Sequence, residues 1–395
     1  MARSVIRVIS RAMAALVAVL ALAPAGANGA APVLASIRAQ EWWLRSMRAP
    51  DVMWPISTGK GMTVAEIDSG VQVDHPDLVG QVLVGRNFSR LPGGADTDTD
   101  GHGTGMASFM VGTGKGWDGN GMYGLAPGAR VLPLRIMPQG ENEAAFSADF
   151  ARQMSEAIRA AADSKAQIIS ISMSQVEEEP NVRSAVDYAL SKGKLIAAAA
   201  GNDGASGNPV EYPAAFPGVV AVGESDKNGN VAAESEYGPQ VVLAAPGAGM
   251  YRACVGPTGY CTSHGTSDST AIVAASAALV WAVHPGWTAD QVVRVLVGSA
   301  NAGGRAGVHD PYYGYGLVRP RVALVAPGDP GPAGVNPLVA GGGRAGPGPR
   351  PGGGVVAVRG SAGGGAGLGW GVAGGALAGA AVAAGVWVRR RRRSG

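Results

Sequence analysis

Short apolar runs typical of β-strands alternate with segments of helical periodicity through the middle of the chain. The runs are residues 62–68, 129–137, 167–174 and 194–202. Between them, spacings such as that of Phe150, Met154 and Ile158 indicate amphipathic helices. Strands that are joined through helices pair in parallel, and helices then cover both faces of the sheet. We therefore predict an α/β fold with a mostly parallel central sheet, whose functional residues lie at the carboxyl ends of the strands.

The segment 269–283, STAIVAASAALVWAV, is apolar nearly all round. It is too short to span a bilayer, and it stops at His284-Pro285. We expect a helix buried in the centre of the domain.

The first thirty residues have the composition of a secretory signal peptide. Three arginines, Arg3, Arg7 and Arg11, precede an apolar run and a stretch of small residues. A short transmembrane anchor is the alternative. Residues 31–60 are predicted to be an N-terminal extension. Alternatively, residues 31–50 wrap the body as a structural element.

The C-terminal end has the pattern of a membrane anchor. Residues 326–366 are rich in Pro and Gly and predict a linker. Residues 367–388 are uncharged and long enough to cross a bilayer, so we predict a transmembrane helix there. Five arginines follow, which predicts a cytoplasmic tail over 389–395 and a body outside the membrane. A disordered Gly/Ala-rich tail is the alternative.

Charge argues against a nucleic-acid-binding surface. The formal net charge of +3 becomes −5 once the eight arginines of the signal segment and the tail are left out. The body of the protein therefore lacks the basic excess that binds phosphates.

The only two cysteines of the chain are Cys254 and Cys261. An oxidising compartment would allow them to form a disulfide, and two unpaired buried thiols are the alternative. Their spacing without further ligands is a poor zinc signal, and we expect no metal site or cofactor.

The stretch DTDTDGHGTG, residues 96–105, has features of both a calcium loop and a catalytic loop. An EF-hand requires an acidic residue at its twelfth position, which is Ala107 here, so that interpretation fails. Two other stretches favour catalysis. Asp68 ends a strand in EIDSG, and Ser267 follows Gly-Thr at a helix start. A serine nucleophile needs a base and a carboxylate, roles that His102 and Asp68 can fill.

Asn202 completes this candidate catalytic set. It follows a buried strand in AAAAGND, where its amide can donate to an oxyanion. The backbone N–H of Ser267, at a helix N-terminus, supplies a second donor.

The sequence resembles the subtilisin-like serine proteases over residues 40–325. The resemblance rests on EIDSG, DGHGTGMASFMVG, AAAAGNDG and GTSDSTAIVAASAALV. The upstream QEWWLRSMRAPDVMW, the linker, the terminal span and the basic tail resemble the mycosins, membrane-anchored subtilases associated with type VII secretion. The catalytic domain is accordingly assigned to residues 61–325.

The resemblance also implies a site for the substrate backbone. Residues 170–174, SISMS, would form an edge strand that pairs with an extended peptide through Ser170, Ser172 and Ser174. An ordinary interior strand is the alternative. The chain departs from the family at Ser174, where glycine is usual, and at Ala271, where proline is usual. Asp268 lies directly after the nucleophile, and we expect its carboxylate to face away from the oxyanion.

Together these features predict a membrane-anchored, extracytoplasmic serine endopeptidase that hydrolyses peptide bonds through Asp68, His102 and Ser267. Its expected partners are a protein or peptide substrate, the membrane and the type VII secretion machinery. The alternative is a weakly catalytic or non-catalytic scaffold that stabilises a secretion complex.

Overall fold

The computed structural model describes residues 37, 39–300 and 308–339 of the chain. The predicted signal peptide (1–30), the transmembrane segment (367–388) and the tail (389–395) lie outside the described residues. Most of the predicted linker also does.

A parallel sheet of seven strands forms the centre of the protein. The strands are β1 (Thr63–Asp68), β2 (Arg86–Asn87), β3 (Arg130–Arg135), β4 (Ile168–Ile171), β5 (Leu195–Ala199), β6 (Val220–Ser225) and β7 (Val241–Pro246). Their order across the sheet is β2-β3-β1-β4-β5-β6-β7, and every pairing is parallel. The predicted parallel sheet is thus confirmed. A small antiparallel hairpin is formed by β8 (Met250–Ala253) and β9 (Tyr260–Ser263).

Helices cover this sheet. They are α1 (Trp42–Met47), α2 (His102–Val111), the short α3 (Gly116–Gly119), α4 (Glu143–Asp163), α5 (Pro180–Ser191), α6 (Thr266–Val283), α7 (Ala289–Ser299) and α8 (Pro320–Val325). A π-helical turn at Ala49–Met53 follows α1. Every residue of β4 and β5 is buried, although successive side chains point to opposite faces. Both faces of the sheet are therefore covered, which explains why these strands are continuous apolar runs.

Helix α6 is the buried centre of the domain, as its sequence predicts. It is long and apolar enough to cross a membrane, but 89% of it is buried inside the protein. Two of its hydroxyls are satisfied within the helix, because those of Thr270 and Ser276 donate to the carbonyls of Thr266 and Ile272. Helix α6 is therefore a core helix that lies across β4 to β7.

The described part of the N-terminal extension packs on the body. Trp43 is fully buried, and its ring lies 5.9 Å from that of Phe109 in an edge-to-face arrangement. The Glu41 carboxylate accepts a hydrogen bond from the backbone N–H of Tyr123. Residues 41–53 therefore contact the body, and the alternative of a structural extension over residues 31–50 stays a prediction.

The beginning of the predicted linker also packs on the body. The side chain of Gln291 donates to the carbonyl of Gly331 at 2.8 Å, and Arg294 donates to that of Val335 at 3.0 Å. Both donors lie on α7, and they satisfy backbone carbonyls that a free tether would expose to water. The predicted linker boundary at residue 326 is therefore wrong, because the chain follows the folded domain as far as residue 339.

Candidate active site

The predicted catalytic residues line a single cavity at the carboxyl edge of the sheet. Asp68, His102, Asn202 and Ser267 are all among its lining residues. Asp68 ends β1, His102 begins α2, Asn202 follows β5, and Ser267 is the second residue of α6. Residues separated by almost two hundred positions thus meet where the parallel strands end.

Asp68 and His102 are directly hydrogen bonded. Nδ1 of His102 lies 2.8 Å from Oδ1 of Asp68, whose side chain is almost completely buried. The same carboxylate oxygen accepts the backbone N–H of Ser69 at 2.7 Å. A carboxylate accepts a hydrogen bond from Nδ1–H, so Nε2 keeps the lone pair that a general base requires.

The electrostatic surroundings of His102 favour its protonated form. Burial of the ring lowers the His102 pKa, but the Asp68 charge and hydrogen bond outweigh it, so that the net pKa is raised above 6.5. Arg252 lowers the pKa and Asp268 raises it. His102 therefore gains its proton more readily than an unperturbed histidine does.

Ser267 adopts a conformation in which its hydroxyl is turned to the backbone. Its Oγ donates to the carbonyl oxygen of Ser172 at 3.2 Å, and Oγ of Ser172 donates to the carbonyl of Ser267 at the same distance. Among the described hydrogen bonds, none joins Ser267 to His102. Catalytic hydrogen bonds are often long or unformed without substrate, and the two side chains border the same cavity.

Asn202 is oriented by the residue before the predicted nucleophile. Its Oδ1 accepts from the backbone N–H of Thr266 at 2.9 Å and from the Thr266 hydroxyl at 3.0 Å. With the oxygen engaged in this way, the amide nitrogen is the group left to donate. Thr266 is therefore a positioning residue, and the Gly-Thr-Ser stretch alone did not reveal this role.

Asp98 is a second residue that the sequence analysis missed. Its Oδ1 accepts from the Ser69 hydroxyl at 3.0 Å and from the Gly101 N–H at 2.8 Å. Its Oδ2 accepts from the backbone N–H of Thr104 at 2.9 Å and from the Thr104 hydroxyl at 2.6 Å. Asp98 thus ties the residue after Asp68 to the beginning of the helix that carries His102. The acidic stretch acts here as a helix-capping element.

The serines predicted to bind the substrate backbone occupy two different environments. Ser170 lies within β4, which pairs with β1 on one side and β5 on the other, and it is buried. The prediction of an edge strand is therefore wrong for Ser170. Pairing ends at Ile171, and Ser172 and Ser174 line the cavity beyond it. The hydroxyl of Ser174 donates to the Glu211 carboxylate.

Asp268 is buried beneath the nucleophile. Its Oδ1 accepts from the Ser263 hydroxyl at 2.9 Å, and its Oδ2 makes no hydrogen bond. Burial raises the Asp268 pKa to about 7, although Ser263, Arg252 and His102 each lower it. The carboxylate is directed to Ser263 and is not part of the cavity lining, as expected from its position after Ser267.

The β8–β9 hairpin connects this region to the beginning of α6. Cys254 and Cys261 are joined as a disulfide across its loop, with their Cα atoms 5.9 Å apart. Arg252, on β8, donates to the carbonyls of Gly101 and His102 at 2.5 and 3.3 Å. The hairpin therefore contacts the backbone at the beginning of α2, which carries His102. Its second strand, β9, leads directly into the residues that precede Ser267.

Comparisons with known proteins agree with this geometry. Residues 59–316 match the Subtilase family. Subtilisin BL from Lederbergia lenta is 31% identical over 283 residues, which cover 71% of this chain and 97% of that protein. The crystal structure of MycP1 from Mycobacterium smegmatis has a TM-score of 0.63 at 28% identity, covering 74% of this chain and 86% of that one. The structure of the MycP3 protease from the type VII (ESX-3) secretion system has a TM-score of 0.63 at 30% identity, and the match covers 73% of this chain and 87% of that one. The chain belongs to the subtilase family of serine endopeptidases, and its structural neighbours include mycosin proteases.

Proposed function

We propose that this protein cleaves peptide bonds with Ser267 as the nucleophile, His102 as the general base and acid, and Asp68 as the orienting carboxylate. The observation that carries the proposal is the 2.8 Å hydrogen bond between Asp68 and His102 beside the cavity that Ser267 also lines. Asn202 and the backbone N–H of Ser267 would donate to the oxyanion.

The reaction requires one rearrangement of the site. The hydroxyl of Ser267 leaves the Ser172 carbonyl, transfers its proton to Nε2 of His102, and its oxygen bonds to the substrate carbonyl carbon. The negative charge then develops on the former carbonyl oxygen, within reach of Asn202. His102 passes the proton to the leaving amine, the C–N bond breaks, and an acyl-enzyme remains. Water deprotonated by His102 hydrolyses that ester and restores Ser267.

We also propose that the substrate main chain lies along Ser172 and Ser174. Both residues line the cavity and extend past the last paired residue of β4. Backbone groups beyond the end of a paired strand are available to an extended peptide. The side chain of Ser174, held by Glu211, would border the peptide on this side.

Labelling with a fluorophosphonate probe tests the nucleophile. We expect the wild-type protein to be labelled and Ser267→Ala to remain blank, with Ser269→Ala as a matched control that keeps labelling. Ser269 lies on the same helix and donates to the carbonyl of Ala245, which places its hydroxyl on the sheet. Equal labelling of wild type and Ser267→Ala would remove the assignment.

We further propose that the catalytic domain is exported, anchored by residues 367–388, and associated with a type VII secretion system. The signal-like N-terminus, the apolar C-terminal segment with five following arginines, and the paired cysteines support this placement. The MycP3 neighbour is from the type VII (ESX-3) secretion system, and a second MycP1 neighbour is from the ESX-1 type VII secretion system.

Cell fractionation tests the anchor. The full chain should sediment with membranes and resist carbonate extraction, whereas a chain ending at residue 366 should be released outside the cytoplasm. Restoration of secretion by Ser267→Ala in a deletion strain would instead favour the scaffold hypothesis over proteolysis as the main role.

A further inference from the structure

Three potential metal ligands form a cluster outside the lining of the active-site cavity. Glu224 lies near the end of β6, Glu234 in the loop that follows, and His264 between β9 and α6. One ligand atom of each residue lies within 4.8 Å of the other two. Nδ1 of His264 is already 2.6 Å from a carboxylate oxygen of Glu234.

Glu224 provides the observation that indicates a bound cation. Its side chain is fully buried, and among the described residues neither carboxylate oxygen has a hydrogen-bond partner at ordinary distance and angle, although the backbone of Gly265 and the carboxylate of Glu234 lie beside it. Buried polar atoms in native proteins almost always have a partner, and an unpaired buried carboxylate is costly. A cation between the two glutamates would relieve both the burial cost and the repulsion.

The geometry points to a site for a divalent transition metal formed by Glu224, Glu234 and His264, and we propose Zn²⁺ as its ligand. An imidazole nitrogen and two carboxylate oxygens suit Zn²⁺, whereas Ca²⁺ prefers oxygen ligands alone. A tetrahedral zinc site brings ligand atoms to roughly 3.4 Å from one another. The side chains of His264 and Glu234 are 68% and 38% exposed, so they are free to close around the ion and leave its fourth position to water.

A metal bound at this cluster would hold the loop that precedes α6. His264 directly precedes the Gly265-Thr266-Ser267 stretch that begins α6. Gly265 has a φ of +129°, a region that favours glycine, and a side chain there would contact the Asn202 amide. A metal that joins His264 to β6 therefore fixes the loop that sets Thr266 and Ser267. It stabilises the folded protein and takes no part in peptide hydrolysis.

Zinc binding to the full chain in detergent micelles tests this site. The Ser267→Ala background prevents self-digestion, and the protein carries no histidine tag and is stripped with EDTA. Calorimetric titration with ZnCl₂ at pH 8 should show one equivalent bound, with a zinc-dependent increase in Tm. Affinity should fall as the pH is lowered to 6, because imidazole and carboxylate ligands bind a metal only in their deprotonated forms.

Three variants in that background locate the ligands. His264→Ala and Glu224→Gln should each weaken zinc binding by at least roughly tenfold, since even residues outside a metal's ligand set contribute about 10- to 100-fold. His284→Ala is the matched control and should keep full affinity. The His284 ring is not part of the cluster and stacks on the Trp287 ring, with 3.7 Å between the ring centroids. Glu224→Gln removes a buried charge and should fold at least as stably without metal.

Three results would overturn the proposal. One is the absence of zinc binding to the background protein at pH 8. Another is zinc affinity unchanged by both His264→Ala and Glu224→Gln, which would place the ion elsewhere on the chain. A Tm increase with CaCl₂ but not with ZnCl₂ would also reject a transition-metal site.

Discussion

Replacement of Asp268 by asparagine should stabilise the protein in alkaline solution and leave it almost unchanged in acid. Asp268 is 1% exposed, and burial raises its pKa from 3.8 to about 7. A carboxyl whose pKa is raised by folding contributes stability below its unfolded pKa, and this contribution is lost as the pH rises through the folded pKa. Wild-type stability should therefore decline between about pH 4 and pH 8.

The size of the effect follows from that shift. A pKa difference of about three units corresponds to roughly 4 kcal/mol at 1.36 kcal/mol per unit. This value is an upper bound for the stability that the folded protein loses when Asp268 is ionised. Asparagine has no charge to bury, and its oxygen can still accept the hydrogen bond from Ser263. Asp268→Asn should thus raise the free energy of unfolding by about 2 to 4 kcal/mol at pH 9, and by less than about 1 kcal/mol at pH 4.5.

Urea unfolding under non-reducing conditions measures this difference. Ser267→Ala serves as the background so that self-digestion does not distort the transitions. Asp187→Asn makes the same charge change at an exposed position of α5 and should alter stability by less than about 0.5 kcal/mol at either pH. A stability gain for Asp268→Asn that is equal at the two pH values would refute the assigned burial and ionisation of Asp268.

Three further outcomes are expected. Asn202→Ala should lower kcat by roughly 100- to 1,000-fold with little change in KM for a peptide substrate, and a change confined to KM would contradict its role at the oxyanion. We propose His102 as the base, and its pKa is raised, so kcat/KM should fall as the pH is lowered through a midpoint above 6.5, and Asp268→Asn should move that midpoint to lower pH. An unmoved pH-rate profile would show that Asp268 does not influence His102. Trp43→Ala should cost roughly 3 to 5 kcal/mol in chemical unfolding, because the side chain is fully buried, whereas a loss below about 1 kcal/mol would place the extension outside the cooperative fold.

The strands and the candidate catalytic positions were predictable because both depend on local sequence. Strands buried on both faces are mostly apolar, and a polar residue ends or follows them, as Asp68 ends β1 and Asn202 follows β5. Parallel pairing then places such ends at one edge of the sheet. Pairing order, however, depends on residues far apart in the sequence. The run 167–174 does not indicate that only residues 168–171 pair with a strand on each side. The sequence alone therefore does not distinguish Ser170 from Ser172 and Ser174.

Other features depend on contacts that a single segment does not reveal. The alternating aspartates indicate charge, but only the fold shows that Asp98 receives hydrogen bonds from Ser69 and Thr104. The composition of residues 326–339 suggests a free tether, yet donors on α7 hold its backbone. Glu224 occurs in an otherwise apolar strand, and nothing nearby in sequence indicates that Glu234 and His264 approach it.

The charge at the candidate active site depends on the surroundings of two acidic residues on β1. Glu66 and Asp68 are two positions apart on β1, so their side chains point to the same face of the sheet. Burial, and then the neighbouring Asp68, raise the Glu66 pKa well above 4.5, while a hydrogen bond with the backbone of Ala107 lowers it. Asp68 accepts hydrogen bonds from the Ser69 N–H and from His102. Two like charges this close in a buried strand are unfavourable, so the surroundings favour the uncharged form of Glu66. Asp68, which accepts the hydrogen bond from His102, is the carboxylate that we propose to orient His102 and to stabilise its positive charge.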